Sequence, residues 1–143
     1  MSTMPMTVWV LVCDATRAMF FQVRDAEAPW HLVNVVSHPE ATGEAAESDR
    51  ELERQRFAHS LVETLDRALR AARFRRWVLV APPHFGDLVK KVLTQDVERF
   101  LMATVDKDLV HMSMHLMTET LRDAVRIPAD QRDAVREAYR QTP

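Results

Sequence analysis

Residues 77–86 read Trp77-Val-Leu-Val-Ala-Pro-Pro-His-Phe-Gly86, and this stretch decides the fold. Trp77 to Ala81 is an unbroken run of apolar residues, most of them strand formers, which predicts a strand buried on both faces of an α/β sheet. Pro82 and Pro83 end it, because neither can donate to a sheet ladder. The fixed φ of proline instead suits the first turn of a helix. Phe85, Leu88, Val89, Val92 and Leu93 then recur at helical spacing. The unit is strand, loop, helix, and in open α/β sheets the loop that follows such a strand is where ligands usually sit.

On the N-terminal side, Thr7 to Cys13 is almost wholly apolar and predicts a central strand. A turn at Asp14, Ala15 and Thr16 leads into a second strand, Arg17 to Arg24, with Met19, Phe21 and Val23 on one face. So short a connection implies an antiparallel hairpin. Asp25 to Pro29 forms another turn and Trp30 to Ser37 a third strand, completing a meander. Glu40 to Arg54 is polar and reads as a solvated loop sliding into a helix. That helix runs from about Glu51 to Arg73, with Phe57, Leu61, Leu65, Leu69 and Ala72 as its apolar stripe.

On the C-terminal side, Thr94 caps a short helix from Gln95 to Phe100. Leu101 to Val105 is a fifth strand, closed by Asp106, Lys107 and Asp108. Met112 to Val125 is helical by the spacing of Met114, Met117, Leu121 and Val125. Pro128 then breaks the chain, and residues 130–141 form a weakly amphipathic helix marked by Val135, Ala138 and Tyr139. The expected organisation is one α/β domain over residues 1–127 with a C-terminal helical tail over 128–143. Its sheet is mixed and five-stranded, a three-strand antiparallel meander followed by parallel strands, with covering helices. That order is shared by the ribonuclease H-like fold, and a shared fold carries no activity across.

The composition narrows the function classes. With 143 residues the chain is long enough for one sizeable core, and a net charge of -2 gives no global attraction to polyanions or acidic lipid. Polyanion binding therefore needs a local basic patch. Cys13 is the lone cysteine, which excludes an internal disulfide and suits a reducing, cytoplasmic setting. The apolar run Val8 to Cys13 is too short for a signal-peptide core or a membrane span. Gly43 and Gly86 are the only glycines, so glycine-rich phosphate loops are excluded and no nucleotide cofactor is expected.

Several stretches together resemble a bacterial family, the proteins required for attachment to host cells, grouped with relatives of the archaeo-eukaryotic peptide-chain release factors. The residues that carry the resemblance are Trp9 to Asp14 with Arg17, Ala18 and Phe21; His38 to Ala41; Phe57 and Ala58; Arg73 and Phe74; Val78 to Pro83; and Lys107, Asp108, Leu109 and His111. The resemblance implies a fold like the middle domain of those release factors and a role around the ribosome. Ala15 stands where the family often has glycine, and the chain lacks the Gly-Gly-Gln tripeptide with which true release factors trigger hydrolysis. That activity is therefore not carried over.

Two constellations are candidate sites. If the first, fourth and fifth strands are parallel, Asp14, Pro83, His84, Lys107 and Asp108 emerge at one sheet edge, a binding site with helix N–H groups for an anion. Carboxylates near such positions hold Mg²⁺ in ribonuclease H-like nucleases, so a divalent-metal hydrolase using Asp14 and Asp108 is the alternative. Lys107 between the carboxylates makes a poor metal cage, and no metal or catalytic residue is assigned. His111 and His115, four residues apart, would share a helix face but lack a third ligand nearby. The second constellation is Arg73, Arg75 and Arg76 with Lys90 and Lys91, interleaved with Phe74 and Trp77, which suits RNA. The chain thus reads as a non-enzymatic, translation-related RNA- or ribosome-binding domain. A protein-interaction factor acting indirectly in attachment, with a protein partner or a second copy, is the other reading, and no membrane partner is expected.

Overall fold

In the computed structural model, residues 7–24, 29–38 and 47–126 are described. The strands are β1 (Val8–Cys13), β2 (Arg17–Val23), β3 (His31–Ser37), β4 (Arg76–Val80) and β5 (Leu101–Val105). The helices are α1 (Glu47–Arg70), α2 (Pro83–Lys91), α3 (Gln95–Arg99) and α4 (Met114–Thr120). They form one five-stranded sheet in the order β3-β2-β1-β4-β5. β1 pairs antiparallel with β2 and β2 with β3, while β4 runs parallel to both β1 and β5. This is the meander followed by parallel strands that the apolar runs predict.

The sheet has a core on each face because the pleat sends alternate side chains to opposite sides. On one face Trp9, Leu11, Phe20, Trp77 and Leu79 pack with Phe57, Leu61 and Leu65 of α1, Phe85 and Val89 of α2, and Val97 of α3. On the other, Val10, Val12, Met19, Phe21, Val78 and Val80 pack with Leu109, Val110, Met117, Leu121 and Val125. β1 is buried at every position, as is β4 after Arg76. Both are covered from above and below, which is why they read as continuous apolar runs rather than alternating ones.

α1 begins and ends earlier than its apolar stripe suggests. Its polar first turns are held by ion pairs, with Arg54 Nη1 2.9 Å from Glu47 Oε1 and 3.2 Å from Glu51 Oε2. Helix therefore starts at Glu47, well before the first buried residue, Phe57. At the other end Ala72 has φ 58°. Its N–H donates to the Leu69 carbonyl at 3.0 Å, and the Arg73 N–H donates to the Ala68 carbonyl at 3.0 Å. That pair of bonds is a Schellman ending, which leaves Ala72 as the left-handed terminator instead of the last residue of the stripe. Glycine pays no Cβ penalty in this conformation. Ala72→Gly is therefore expected to stabilise the protein by about 0.5–1 kcal/mol, read as a higher denaturation midpoint. A lower midpoint would contradict the assignment.

Pro82 caps α2 and Pro83 occupies its first turn, as expected, though the helix stops at Lys91, before Val92 and Leu93. Thr94 caps α3 by accepting the Val97 N–H at 3.3 Å. α4 is shorter than the expected helix from Met112 to Val125. Ser113 caps it by accepting the Leu116 N–H at 3.3 Å, so helix starts at Met114, and after Thr120 the chain continues as turns. Met117, Leu121 and Val125 are buried, whereas Met114 is 43% exposed and contributes little to the core. The strand expected from Trp30 begins at His31, with Trp30 packed on Phe21 at 5.6 Å between ring centroids. The turn expected at Asp25 to Pro29, most of the polar segment before Glu47 and the tail over 128–143 lie largely or wholly outside the described residues.

Candidate functional site

Three parallel strand ends deliver their loops to one edge of the sheet. Val12 pairs with Val80 and Val80 with Val105, and the Ala81 N–H donates to the Val105 carbonyl at 3.1 Å. Asp14, the loop into α2 and the segment Asp106 to Asp108 therefore leave the sheet side by side. The side chains, however, are committed in different directions. Asp14 Oδ1 accepts three hydrogen bonds from its own turn, from Thr16 N (2.8 Å), Thr16 Oγ1 (2.9 Å) and Arg17 N (2.8 Å). This is an Asx turn that starts the β1–β2 hairpin.

His84 turns towards α1, its Nε2 3.3 Å from Glu51 Oε2. Pro83, Lys107 and Asp108 are exposed. Among the described residues, no hydrogen bond or ion pair joins Asp14, His84, Lys107 and Asp108 to one another. Nor does any group of three or more His, Cys, Asp or Glu there lie together as metal ligands would. His111 precedes the start of α4, so it does not share a helix face with His115, which instead pairs with Glu119 at 3.4 Å. Cys13 is buried; desolvation first, and the neighbouring Asp14 charge second, push its thiol far above the ordinary range. Burial of this kind disfavours the thiolate, the form that attacks.

The Glu51–His84 contact gives the edge a pH dependence. The hydrogen bond from His84, followed by that from Arg54, holds the Glu51 carboxyl below its ordinary value of 4.5. A depressed carboxylate stabilises the fold above its unfolded value, and that contribution disappears as pH falls through the lower folded value. Glu51→Gln is thus expected to lower the urea midpoint slightly at neutral pH and to match the parent protein in strong acid. A gap that is constant with pH would show that the contact contributes nothing.

The opposite end of the sheet is basic and aromatic. Arg73 lies over the Trp9 ring, 5.5 Å from its centroid. Arg76 and Arg99 lie 5.6 Å and 5.7 Å from the centroid of Phe100. The Trp77 N–H donates to the Phe100 carbonyl at 3.0 Å, which fixes that ring beside the start of β4. Arg76 Nη1 also donates to the Arg75 carbonyl at 2.9 Å, and partial burial lowers the affinity of its guanidinium for the proton. Arginine remains charged under any working condition.

Arg73 also borders a groove of about 350 Å³ between α1 and the sheet, lined as well by Trp9, Phe20, Asn34, Thr64 and Arg67 and by no acidic residue. Among the described residues, the buried Trp9 Nε1–H meets no acceptor. Lys90 and Lys91 sit at the end of α2, which starts at the loop edge and runs back towards the basic end. Lys90 is 3.4 Å from Asp87, and Lys91 faces a separate groove between α1 and α2. The three sequence-predicted arginines thus share one end, whereas Lys91 lines a groove with Glu51 and Glu63 of α1 and Lys90 pairs within its own helix.

Arg99, Phe100 and Arg67 belong to this surface as well. A signal for the first two was present: an Arg-Phe pair precedes both β4 (Arg73, Phe74) and β5 (Arg99, Phe100). Arg67 carried no comparable signal, since basic residues are expected at any helix C-terminus.

The model of the family described as "Protein required for attachment to host cells" matches residues 41–121, more than half of the chain. No protein of curated function matches. An archaeal translation termination factor, aRF1, is similar in structure, with a TM-score of 0.54 and 12% sequence identity over 95% of this chain and 42% of that one. A second structure, titled "Archaeal protein", has a TM-score of 0.49 and 10% identity over 95% of this chain and 41% of the other. The chain thus spans about two fifths of the length of these solved proteins. At such identity the likeness to the termination factor is one of fold.

Proposed function

Because the chain belongs to the family of proteins required for attachment to host cells, and its fold is that of part of a translation termination factor, we propose that it is a non-enzymatic domain that binds translation-related RNA or the ribosome. The observation that carries this reading is the arginine and aromatic end of the sheet, with Arg73 on Trp9 and Arg76 and Arg99 on Phe100. Guanidinium groups stacked on rings are partly pre-ordered, so less side-chain entropy is lost when they meet phosphate. The adjoining groove, with Arg67 and Arg73 at its border and no carboxylate, extends the surface.

The edge formed by Asp14, Pro83, His84, Lys107 and Asp108 is a secondary contact for the same partner in this reading. Asp14 is already engaged by its own turn, which weighs against its use as a metal ligand in a hydrolase. In this reading the domain works in the cytoplasm, and a protein-interaction factor acting indirectly in attachment is the alternative.

RNA binding should be weak and steeply salt-dependent, because phosphate contacts dominate it. Titration of labelled ribosomal RNA between about 50 and about 200 mM salt is expected to show affinity falling by at least tenfold. Replacing Arg76 and Arg99 with alanine together should flatten the slope by about two phosphate contacts. Affinity that ignores salt, or that survives the double replacement unchanged, would contradict the assignment. RNA cleavage abolished by Asp14→Asn or Asp108→Asn would favour the hydrolase instead.

A further inference from the structure

We infer that the groove between α1 and the sheet takes a single unpaired nucleotide, with its base against Trp9, Phe20 and Ala68 and its phosphate on Arg67 and Arg73. The groove measures about 350 Å³, the small end of the range for ligand sites, which suits one nucleotide and not a paired stretch. Trp9 and Phe20 of the sheet and Ala68 of α1 are buried, so its apolar wall is part of the packed core and is formed before any ligand arrives. A base stacked inside a duplex cannot enter such a groove, whereas an unstacked one can. This site rests on the RNA reading of the same end of the sheet and names the unit held there.

The polar lining specifies the ligand. Trp9 is 2% exposed, yet among the described residues its Nε1–H meets no acceptor, whereas the Trp77 indole is bonded to the Val97 carbonyl. A buried donor left unbonded is costly, and an indole N–H can only donate, so the ligand atom that meets it must be an acceptor. Every nucleobase carries one. Among the described residues Arg67 and Arg73 have no carboxylate partner: Arg67 reaches Thr64 Oγ1 at 3.5 Å, and Arg73 lies 5.5 Å from the centre of the Trp9 ring. The nearby Asp66 carboxylate is taken by Arg70 at 3.0 Å. Two guanidinium groups without a counterion call for an anion, and their planar forks match phosphate oxygens. Asn34, exposed on β3, lines the same groove, and its carboxamide can donate and accept at once, as the edge of a base requires.

The test is NMR of the isotope-labelled full chain, in which each of the three tryptophans gives one indole N–H signal and Trp9→Phe assigns that of Trp9. Adenosine or uridine monophosphate should shift the Trp9 signal. The signals of Trp77, bonded to Val97, and of Trp30, in the core on the other face, should stay in place. Adenosine without phosphate and ribose phosphate without a base should each bind about tenfold more weakly, and Arg67→Ala and Arg73→Ala should each weaken the monophosphate by about tenfold. Both arginines are exposed, so these variants should fold, as circular dichroism will show. A single-stranded oligoribonucleotide should move the same signal, and a shift with the strand but not with free monophosphate identifies a residue of RNA as the source. The proposal is overturned if neither monophosphates nor strand move the Trp9 signal, or if inorganic phosphate or a duplex moves it equally. Unchanged affinity in both folded arginine variants overturns it too. Ribosomal RNA binding that persists while the Trp9 signal stays fixed removes this site and leaves the RNA reading at Arg76 and Arg99 standing.

Discussion

Leu79→Asp is expected to cost the fold about 3–5 kcal/mol and to leave the protein largely insoluble or unfolded. Leu79 is fully buried in β4, opposite Leu11 of β1 and Thr104 of β5, within the core that α1, α2 and α3 close. An aspartate there finds no cation and no donor in that apolar cluster, and helix covers the way to water. It must either ionise in an apolar medium or take up a proton, and both are costly. Thr104→Asp supplies the control, because Thr104 is the exposed residue of β5 and should tolerate the change with little loss. Chemical denaturation of the two variants measures the difference. A cooperative Leu79→Asp protein with an unchanged midpoint would mean that β4 is not a central strand.

Trp77 should give the next largest effect. It is fully buried, and its Nε1–H donates to the Val97 carbonyl at 2.7 Å, tying β4 to α3. Trp77→Ala removes the ring and opens a cavity, at about 3–5 kcal/mol. Trp77→Phe keeps much of the packing but deprives the Val97 carbonyl of its donor, so about 1–3 kcal/mol is expected. The two variants separate packing from hydrogen bonding in the same equilibrium unfolding experiment. Equal losses would show that the hydrogen bond rather than the ring carries the stability. Since the backbone N–H of residue 77 still reaches Phe100, Trp77→Phe should retain RNA affinity, which makes it a stability variant distinct from those of the arginine surface.

The sheet was legible because its central strands are continuous apolar runs and its breaks are marked by Pro82, Pro83 and the polar turn at Asp14. The parallel direction of β4 beside β1 followed from the long helix between β3 and β4, which allows a crossover. Helix ends were less legible. Glu47 and Arg54 pair across two turns of α1, a contact that no apolar stripe records, and Ala72 ends the helix in a conformation that sequence normally announces with glycine. Met114 has the spacing of a core residue but only half the burial, because the cap at Ser113 places it on the first turn.

The candidate edge divides in the same way. Strand direction brings the loops of Asp14, His84 and Asp108 together, as the topology implies. Asp14 then turns into its own hairpin, whereas His84 turns to Glu51, which is far from it in sequence and near it only once α1 and α2 are packed. The basic end was partly legible. Arg73, Arg75 and Arg76 stand out as a run, whereas Arg99 joins them only because the β4–β5 pairing carries Phe100 alongside β4.

Co-sedimentation with purified ribosomal subunits tests most directly whether this end of the sheet holds a translation-related RNA. The parent chain should pellet with the subunits at about 50 mM salt and largely release at about 200 mM. The Arg76→Ala, Arg99→Ala double variant, folded by circular dichroism, should remain in the supernatant at both. A parent chain that stays in the supernatant at low salt and also fails to bind free ribosomal RNA, or a double variant that pellets as the parent does, would contradict the account.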